Sequence, residues 1–191
     1  ADFEESIASG RIRLLDDNTD QAYLAAIVRT TGSVEPRDVR ILYSPLHGVG
    51  ESSVAQALDA AGCEKVEVFA PHRSIDGGFP NVSEHLPNPE RPQVFEPLRD
   101  RAREWSADVV MATDPDADRL GAMLPDRKGI FHYISGNRLA VLLADHVLRH
   151  RATRGTLTPD DYLVLTLVTT PLVTALGRSR GVRVIDQLLV G

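Results

Sequence analysis

Two short apolar runs place the tightest limit on what this chain can fold into. Val39-Arg40-Ile41-Leu42-Tyr43 and Val66-Glu67-Val68-Phe69 have strand length. Between them, Val54, Ala57, Leu58 and Ala61 line up as one helical face that Gly62 closes. Parallel strands need a helix-length crossover, so a strand, a helix and a strand in this span predict a parallel pair. The expected fold class is α/β, with helices flanking a mixed, mainly parallel sheet.

Upstream, Tyr23, Leu24, Ile27 and Val28 repeat at helical spacing over 16–30, with Arg29 late and Thr30-Thr31-Gly32-Ser33 as a stop. Downstream, 71–97 is too dense in Pro, Gly, Asn and Ser for a regular element, and a loop this long is usually functional. A helix over 95–105 precedes the apolar run Asp108-Val109-Val110-Met111-Ala112, which reads as a buried strand. Residues 119–124 and 130–134 form a hairpin around Pro125-Asp126-Arg127-Lys128-Gly129. Leu139, Leu142, Leu143, His146 and Val147 then repeat at helical spacing. Strand 162–168, helix 170–180 and strand 182–186 begin a second α/β pattern.

Composition excludes several functions. The 191 residues suffice for one domain, or for one and part of another. A net charge of −6 argues against nucleic-acid binding, which needs clustered cations. The local cluster of Arg149, His150, Arg151 and Arg154 reads as a solvated helix end. Cys63 is the sole cysteine, which excludes an internal disulfide and fits a reducing compartment, with Cys63 itself a packing residue. No apolar run approaches the roughly 20 residues of a membrane span. The chain starts without Met and stops at Leu188-Leu189-Val190-Gly191, so both ends read as cut from something longer.

The chemistry concentrates in Asp114-Pro115-Asp116-Ala117-Asp118-Arg119, directly after the 108–112 run. Three carboxylates this close repel one another unless they share a cation. Hard oxygen donors suit Mg²⁺, Mn²⁺ or Ca²⁺ rather than zinc or copper. Arg119 adds a fork suited to phosphate. An EF-hand needs Gly at loop position 6 and Glu at 12, where this chain has Arg119 and Pro125, so that reading fails. An aspartyl-phosphate hydrolase usually carries Thr or Val four residues after its first Asp; here stand Asp118 or Leu120, and the motif comes late in the domain. A plain acidic turn explains neither the buried strand before the loop nor the arginine after it.

Other segments carry weaker signals. Gly48-Val49-Gly50 opening a helix, with Glu67 in the next strand, looks like an incomplete dinucleotide fingerprint whose third glycine position is Ser53. Those glycines allow a tight turn or a close backbone approach, and the helix start could receive an anion. His47 by itself reads as a turn or packing histidine. Asn88-Pro89-Glu90 reads as a rigid loop, and Gly136-Asn137 after Ser135 as a helix start.

Taken in order, these segments resemble the α-D-phosphohexomutases. The motifs are 43–50, Phe79-Pro80 through Pro87-Asn88-Pro89-Glu90, the aspartate loop, Ser135-Gly136-Asn137-Arg138-Leu139 with Leu142-Leu143, and Thr169-Thr170 leading into Gly181-Val182-Arg183-Val184. Their wording is closest to the phosphoglucomutase, phosphomannomutase and phosphopentomutase branches. The resemblance implies four domains around one cleft, with 1–133 as the second, metal-binding domain and 134–191 as the incomplete start of the third. It implies that Asp114, Asp116 and Asp118 bind Mg²⁺, that Arg119 contacts the transferring phosphoryl group, and that His47 lies near the active site. Glu90 stays a loop residue.

In such enzymes a phosphoserine of the first domain completes the metal site and phosphorylates a sugar 1- or 6-phosphate. Glucose 1,6-bisphosphate or its equivalent reorients as the intermediate and returns the other phosphate. The resemblance thus implies a hexose or pentose phosphate substrate, the first, third and fourth domains as partners, and a cytoplasmic enzyme without nucleic-acid or membrane contacts. The serine, sugar-recognition and phosphate-binding loops of that family are not in this sequence, so the piece alone is expected to be inactive. A magnesium phosphatase with an aspartate nucleophile, and a non-catalytic metal- or phosphosugar-binding module, remain the alternatives.

Overall fold

A computed structural model describes residues 2–31 and 38–188. Helix α1 spans Phe3–Ala8 and α2 spans Asp17–Thr31; Gly32 and Ser33, the expected stop, lie outside the described residues. Strand β1 is Arg40–Ser44, and a wide π-type turn over Glu51–Ala55 leads into α3, Gln56–Ala60. Strand β2 is Lys65–Val68, α4 is Leu98–Glu104, and β3 is Val109–Thr113. The hairpin is β4, Leu120–Pro125, with β5, Phe131–Ile134. Helix α5 spans Gly136–Thr153, β6 Tyr162–Thr166, α6 Pro171–Ser179 and β7 Arg183–Leu188.

The first five strands form one sheet in the order β2-β1-β3-β4-β5. Pairings β1–β2 and β1–β3 are parallel, and β3–β4 and β4–β5 antiparallel. The expected strand–helix–strand unit is present. It places β1 at the parallel centre, with Ile41, Leu42, Tyr43 and Ser44 all buried. A strand covered on both faces reads as a continuous apolar run rather than an alternation.

Alternation along β1 sends Leu42 to one face and Tyr43 to the other. Leu42 joins Val110, Ala112 and Met123 beneath Phe95, Leu98 and Ala102, so α4 and its lead-in cover that face. Each such fully buried large side chain contributes about 1.5–3 kcal/mol. Arg101 on α4 donates from Nε and Nη2 to the two carboxylate oxygens of Glu67, at 2.6 and 2.7 Å, tying the helix to β2. Glu67 is therefore a structural ion-pair partner and not the ribose acid of a dinucleotide site.

The segment 71–97 contains only short 3₁₀ turns, at Ala70–His72, Ser83–His85 and Pro92–Phe95. Its tip lies over β4: Tyr133 Oη donates toward the carbonyls of Pro89 and Glu90, at 3.3 and 3.1 Å. A Cβ on Gly121 would meet Pro89 O at 2.3 Å.

Strands β6 and β7 pair in parallel as a separate two-stranded sheet. Helix α6 packs on it through Gly177, where a Cβ would lie 2.8 Å from Val184 Cγ2 and 2.9 Å from Leu163 Cδ1. The side chain of Asn137, near the start of α5, accepts the Thr170 N–H at the start of α6, at 2.9 Å. At the far end of α5, Arg149 pairs with Asp145 and Arg151 with Asp161, so these arginines hold the chain together locally. No helix among the described residues is long and apolar enough to cross a membrane.

The close approach at Gly121 gives a direct test of the loop's seat. Gly121→Ala should lower stability by about 1–3 kcal/mol in urea denaturation, because the obstructing atom is a backbone oxygen that no rotamer can move aside.

Candidate metal centre

The aspartate loop is the turn of the β3–β4 hairpin. Thr113 and Leu120 pair across the ladder, and the six residues between them carry all three carboxylates. The turn closes with the Ala117 N–H donating to Asp114 O at 3.0 Å, and Ala117 adopts a left-handed conformation with φ of 61°. One carboxylate oxygen from each of Asp114, Asp116 and Asp118 lies within 4.8 Å of the others.

The three acids differ in environment. Asp114 is 1% exposed, whereas Asp116 and Asp118 face solvent. Arg119 binds Asp114 twice, its amide donating to Oδ1 at 3.0 Å and its Nε to Oδ2 at 2.7 Å. Burial opposes charge on Asp114, but the Arg119 amide and guanidinium outweigh it and hold the carboxyl below the usual carboxylate range. Asp118 moves the other way, pushed up by contact with Asp114 and then by the charge of Asp116. The negative charge crowded around Asp118 is of the kind a shared cation relieves. The all-oxygen donor set, partly exposed and partly held ionised from below, fits a hard divalent ion such as Mg²⁺.

Arg119 is half exposed, and its Nε is taken up by Asp114. The charge of Glu90 also acts on the guanidinium. Sequence reasoning left Glu90 as an ordinary loop residue. Its neighbourhood with Arg119 depends on how 88–90 folds over β4, which no local pattern announces.

The turn after β1 braces the loop. The Val49 N–H donates to Pro115 O at 2.8 Å, and a Cβ on Gly48 would lie 2.2 Å from Pro115 Cα. A Cβ on Gly50 would lie 2.1 Å from Tyr43 Oη and 2.7 Å from Thr113 Oγ1. Gly48 is therefore explained by clearance for the backbone of the aspartate loop, and Gly50 by clearance for the Tyr43 and Thr113 hydroxyls beneath it. That is a correction to the dinucleotide fingerprint, though close backbone approach was among the uses their spacing allowed. Leu46 and His47 just before them are both left-handed, with φ of 45° and 65°, a strained conformation for residues with side chains.

His47 lies within this brace with its ring turned inward, only 2% exposed. Its Nδ1–H donates to Ser74 O at 2.8 Å, while its backbone N–H donates to His72 O and its carbonyl accepts from Asp76. The buried Nε2 meets no partner among the described residues. His72, fully buried, packs beside it with ring centroids 5.4 Å apart. Its Nε2–H donates to Asn81 O at 3.0 Å, so its Nδ1 accepts from the Ser44 hydroxyl at 2.8 Å. Burial drives the His72 pKa below 6.5, keeping the ring neutral. Neither His72 nor the Tyr43–Thr113 hydroxyl pair, 2.7 Å apart, was singled out from sequence. The paired glycines were the one visible signal that something must come close.

Comparison with known proteins places the chain in a family. Residues 21–128 match the phosphoglucomutase/phosphomannomutase α/β/α domain II. A phosphoglucomutase of Staphylococcus saprophyticus is 28% identical over 187 residues, covering 98% of this chain and 33% of that protein. A crystal structure of a phosphoglucomutase/phosphomannomutase family protein from Burkholderia thailandensis superposes with a TM-score of 0.70 at 22% identity, over 98% of this chain and 38% of its own. Aspergillus fumigatus N-acetylphosphoglucosamine mutase, solved with GlcNAc-6P and magnesium, shares the fold with a TM-score of 0.57 at 16% identity, over 87% of this chain and 32% of its own. The chain thus spans about a third of the length of these proteins.

The neutral His72 makes a pH prediction. Its folded pKa lies below the unfolded value of about 6.5, so its contribution is complete above that pH and lost as pH falls through the folded pKa. Urea denaturation should show stability declining below pH 6.5. His72→Gln should remove up to about 1.4 kcal/mol per pH unit of that slope.

On the match of its central α/β domain and the relatives that extend it, the chain belongs to the phosphoglucomutase/phosphomannomutase family.

Proposed function

We propose that this chain is the metal-binding part of a Mg²⁺-dependent phosphohexomutase that interconverts sugar 1- and 6-phosphates through a phosphoserine and a bisphosphate. The observation that carries the reading is the convergence of Asp114, Asp116 and Asp118 beside an arginine already anchored to Asp114, in a member of this family. The magnesium named in the Aspergillus neighbour supports the choice of ion. In this reading 1–133 is the second domain and 134–191 the start of the third. The phosphoserine and the sugar-recognition loops then come from the rest of a longer enzyme.

Within this chain each residue has a distinct task. Asp114, Asp116 and Asp118 would hold the ion, which supplies charge neutralisation and polarisation at the phosphoryl oxygens. Asp114 also fixes the Arg119 fork by its Nε, leaving the outer nitrogens for a phosphoryl oxygen. Charge stabilisation of this kind needs donors in place before the reaction, which the doubly bonded Asp114–Arg119 pair provides. His47 acts from below, as a brace for the turn that meets Pro115, rather than on substrate. The unpaired Cys63 is in keeping with a reducing, cytoplasmic setting.

A phosphatase using Asp114 as nucleophile is less well supported, because both of its oxygens accept from Arg119 and the residue is buried. A metal- or phosphosugar-binding module without transfer activity would keep the same ligands, and activity measurements on the complete enzyme distinguish it.

Two outcomes test the proposal. Asp116 is exposed and its side chain makes no hydrogen bond or ion pair among the described residues, so Asp116→Asn should weaken Mg²⁺ binding about tenfold or more by calorimetry, with the urea midpoint unchanged; equal affinity would remove the site assignment. The isolated 191 residues should convert no glucose 1-phosphate to glucose 6-phosphate above background, and robust turnover would show that the nucleophile lies within this chain.

A further inference from the structure

The floor of the metal loop is a buried pair of hydroxyls. Tyr43, on β1, is fully buried and shares a hydrogen bond of 2.7 Å with Thr113, the last residue of β3 and the one before Asp114. The two strands are adjacent and parallel, with Tyr43 opposite Met111 in register. The tyrosine ring therefore reaches two residues along its neighbour to the strand end. There it meets the backbone of Gly50: a Cβ on Gly50 would fall 2.1 Å from Tyr43 Oη, 2.7 Å from Thr113 Oγ1 and 3.4 Å from Ala117 Cβ. Ala117 is the left-handed residue between Asp116 and Asp118, and its amide closes the turn onto Asp114.

The turn after β1 thus lies at Gly50 against both the start of the loop and its bend: Thr113, which Tyr43 holds, sets where the loop starts, and Ala117 sets how it turns. A buried hydroxyl without a partner is costly, so Tyr43 and Thr113 hold each other in place. A phenylalanine would preserve the ring but release Thr113.

We infer that Tyr43 is a positioning residue of the metal centre, setting the separation of the three carboxylates through Thr113 without ligating the ion. The inference rests on the reading of Asp114, Asp116 and Asp118 as an Mg²⁺ site. It predicts that metal affinity depends on a hydroxyl that lies beneath the loop and touches no ligand atom directly.

Calorimetric Mg²⁺ titration of the 191-residue chain tests it, with circular dichroism and urea denaturation to establish that each variant is folded. Tyr43→Phe and Thr113→Val should each weaken Mg²⁺ binding about three- to tenfold, the loss that one hydrogen bond accounts for. Thr113→Ser, which restores the hydroxyl, should bind as the native chain does. Native affinity in folded Tyr43→Phe or in folded Thr113→Val overturns the inference, as does equal weakening in Thr113→Ser. Should Tyr43→Phe fail to fold, the comparison of Thr113→Val with Thr113→Ser decides it. Asp116→Asn is measured alongside: if it too binds normally, the metal reading itself fails. If it weakens binding while the hydroxyl variants do not, only the role of Tyr43 is lost.

Discussion

Everything around the candidate site depends on how closely two strand-end turns approach each other. The turn after β1 and the turn after β3 meet backbone to backbone, with Val49 donating to Pro115 and no room for a side chain at Gly48. Such contact is possible only because β1 and β3 are parallel neighbours, which brings their C-terminal ends to the same edge of the sheet. The strain at Leu46 and His47 is tolerated because the surrounding 72–76 segment fixes that turn from the other side. The aspartate loop is shaped by its neighbours as much as by its own residues.

The electrostatics follow from the same arrangement. Asp114 is pulled inward, where burial opposes its charge and the two donors of Arg119 favour it. Asp116 and Asp118 stay at the surface, where mutual repulsion is softened by solvent. One inward acid and two outward ones give the loop a fixed base and an open rim, which suits an ion that keeps part of its coordination for water or substrate.

Much of this was legible in the chain itself. The β1–α3–β2 unit, the β4–β5 hairpin and the second β6–α6–β7 pattern follow from periodicity and turn residues, and the three aspartates announce themselves by spacing. The order of strands in the sheet was less accessible. That β3 pairs with β1 on one side and with β4 on the other depends on which faces become buried, and β1 and β3 are too uniformly apolar to say. The Ser44–His72 and Tyr43–Thr113 partnerships join residues 28 and 70 positions apart, and no local pattern encodes contacts of that range. The glycines at 48 and 50 were visible, but two opposite uses of glycine, to admit a ligand or to admit another stretch of backbone, look the same in a sequence.

Placing the carboxylates on the turn of a hairpin has a further consequence. The loop begins and ends in the ladder pair Thr113–Leu120, so a wide opening of it would pull on the pairing of β3 with β4. Its freedom is therefore that of the cooperative core and not that of a surface loop. The conformational entropy of assembling three like charges is lost once, when the chain folds, and the cation proposed for this loop would meet a cup that is already shaped.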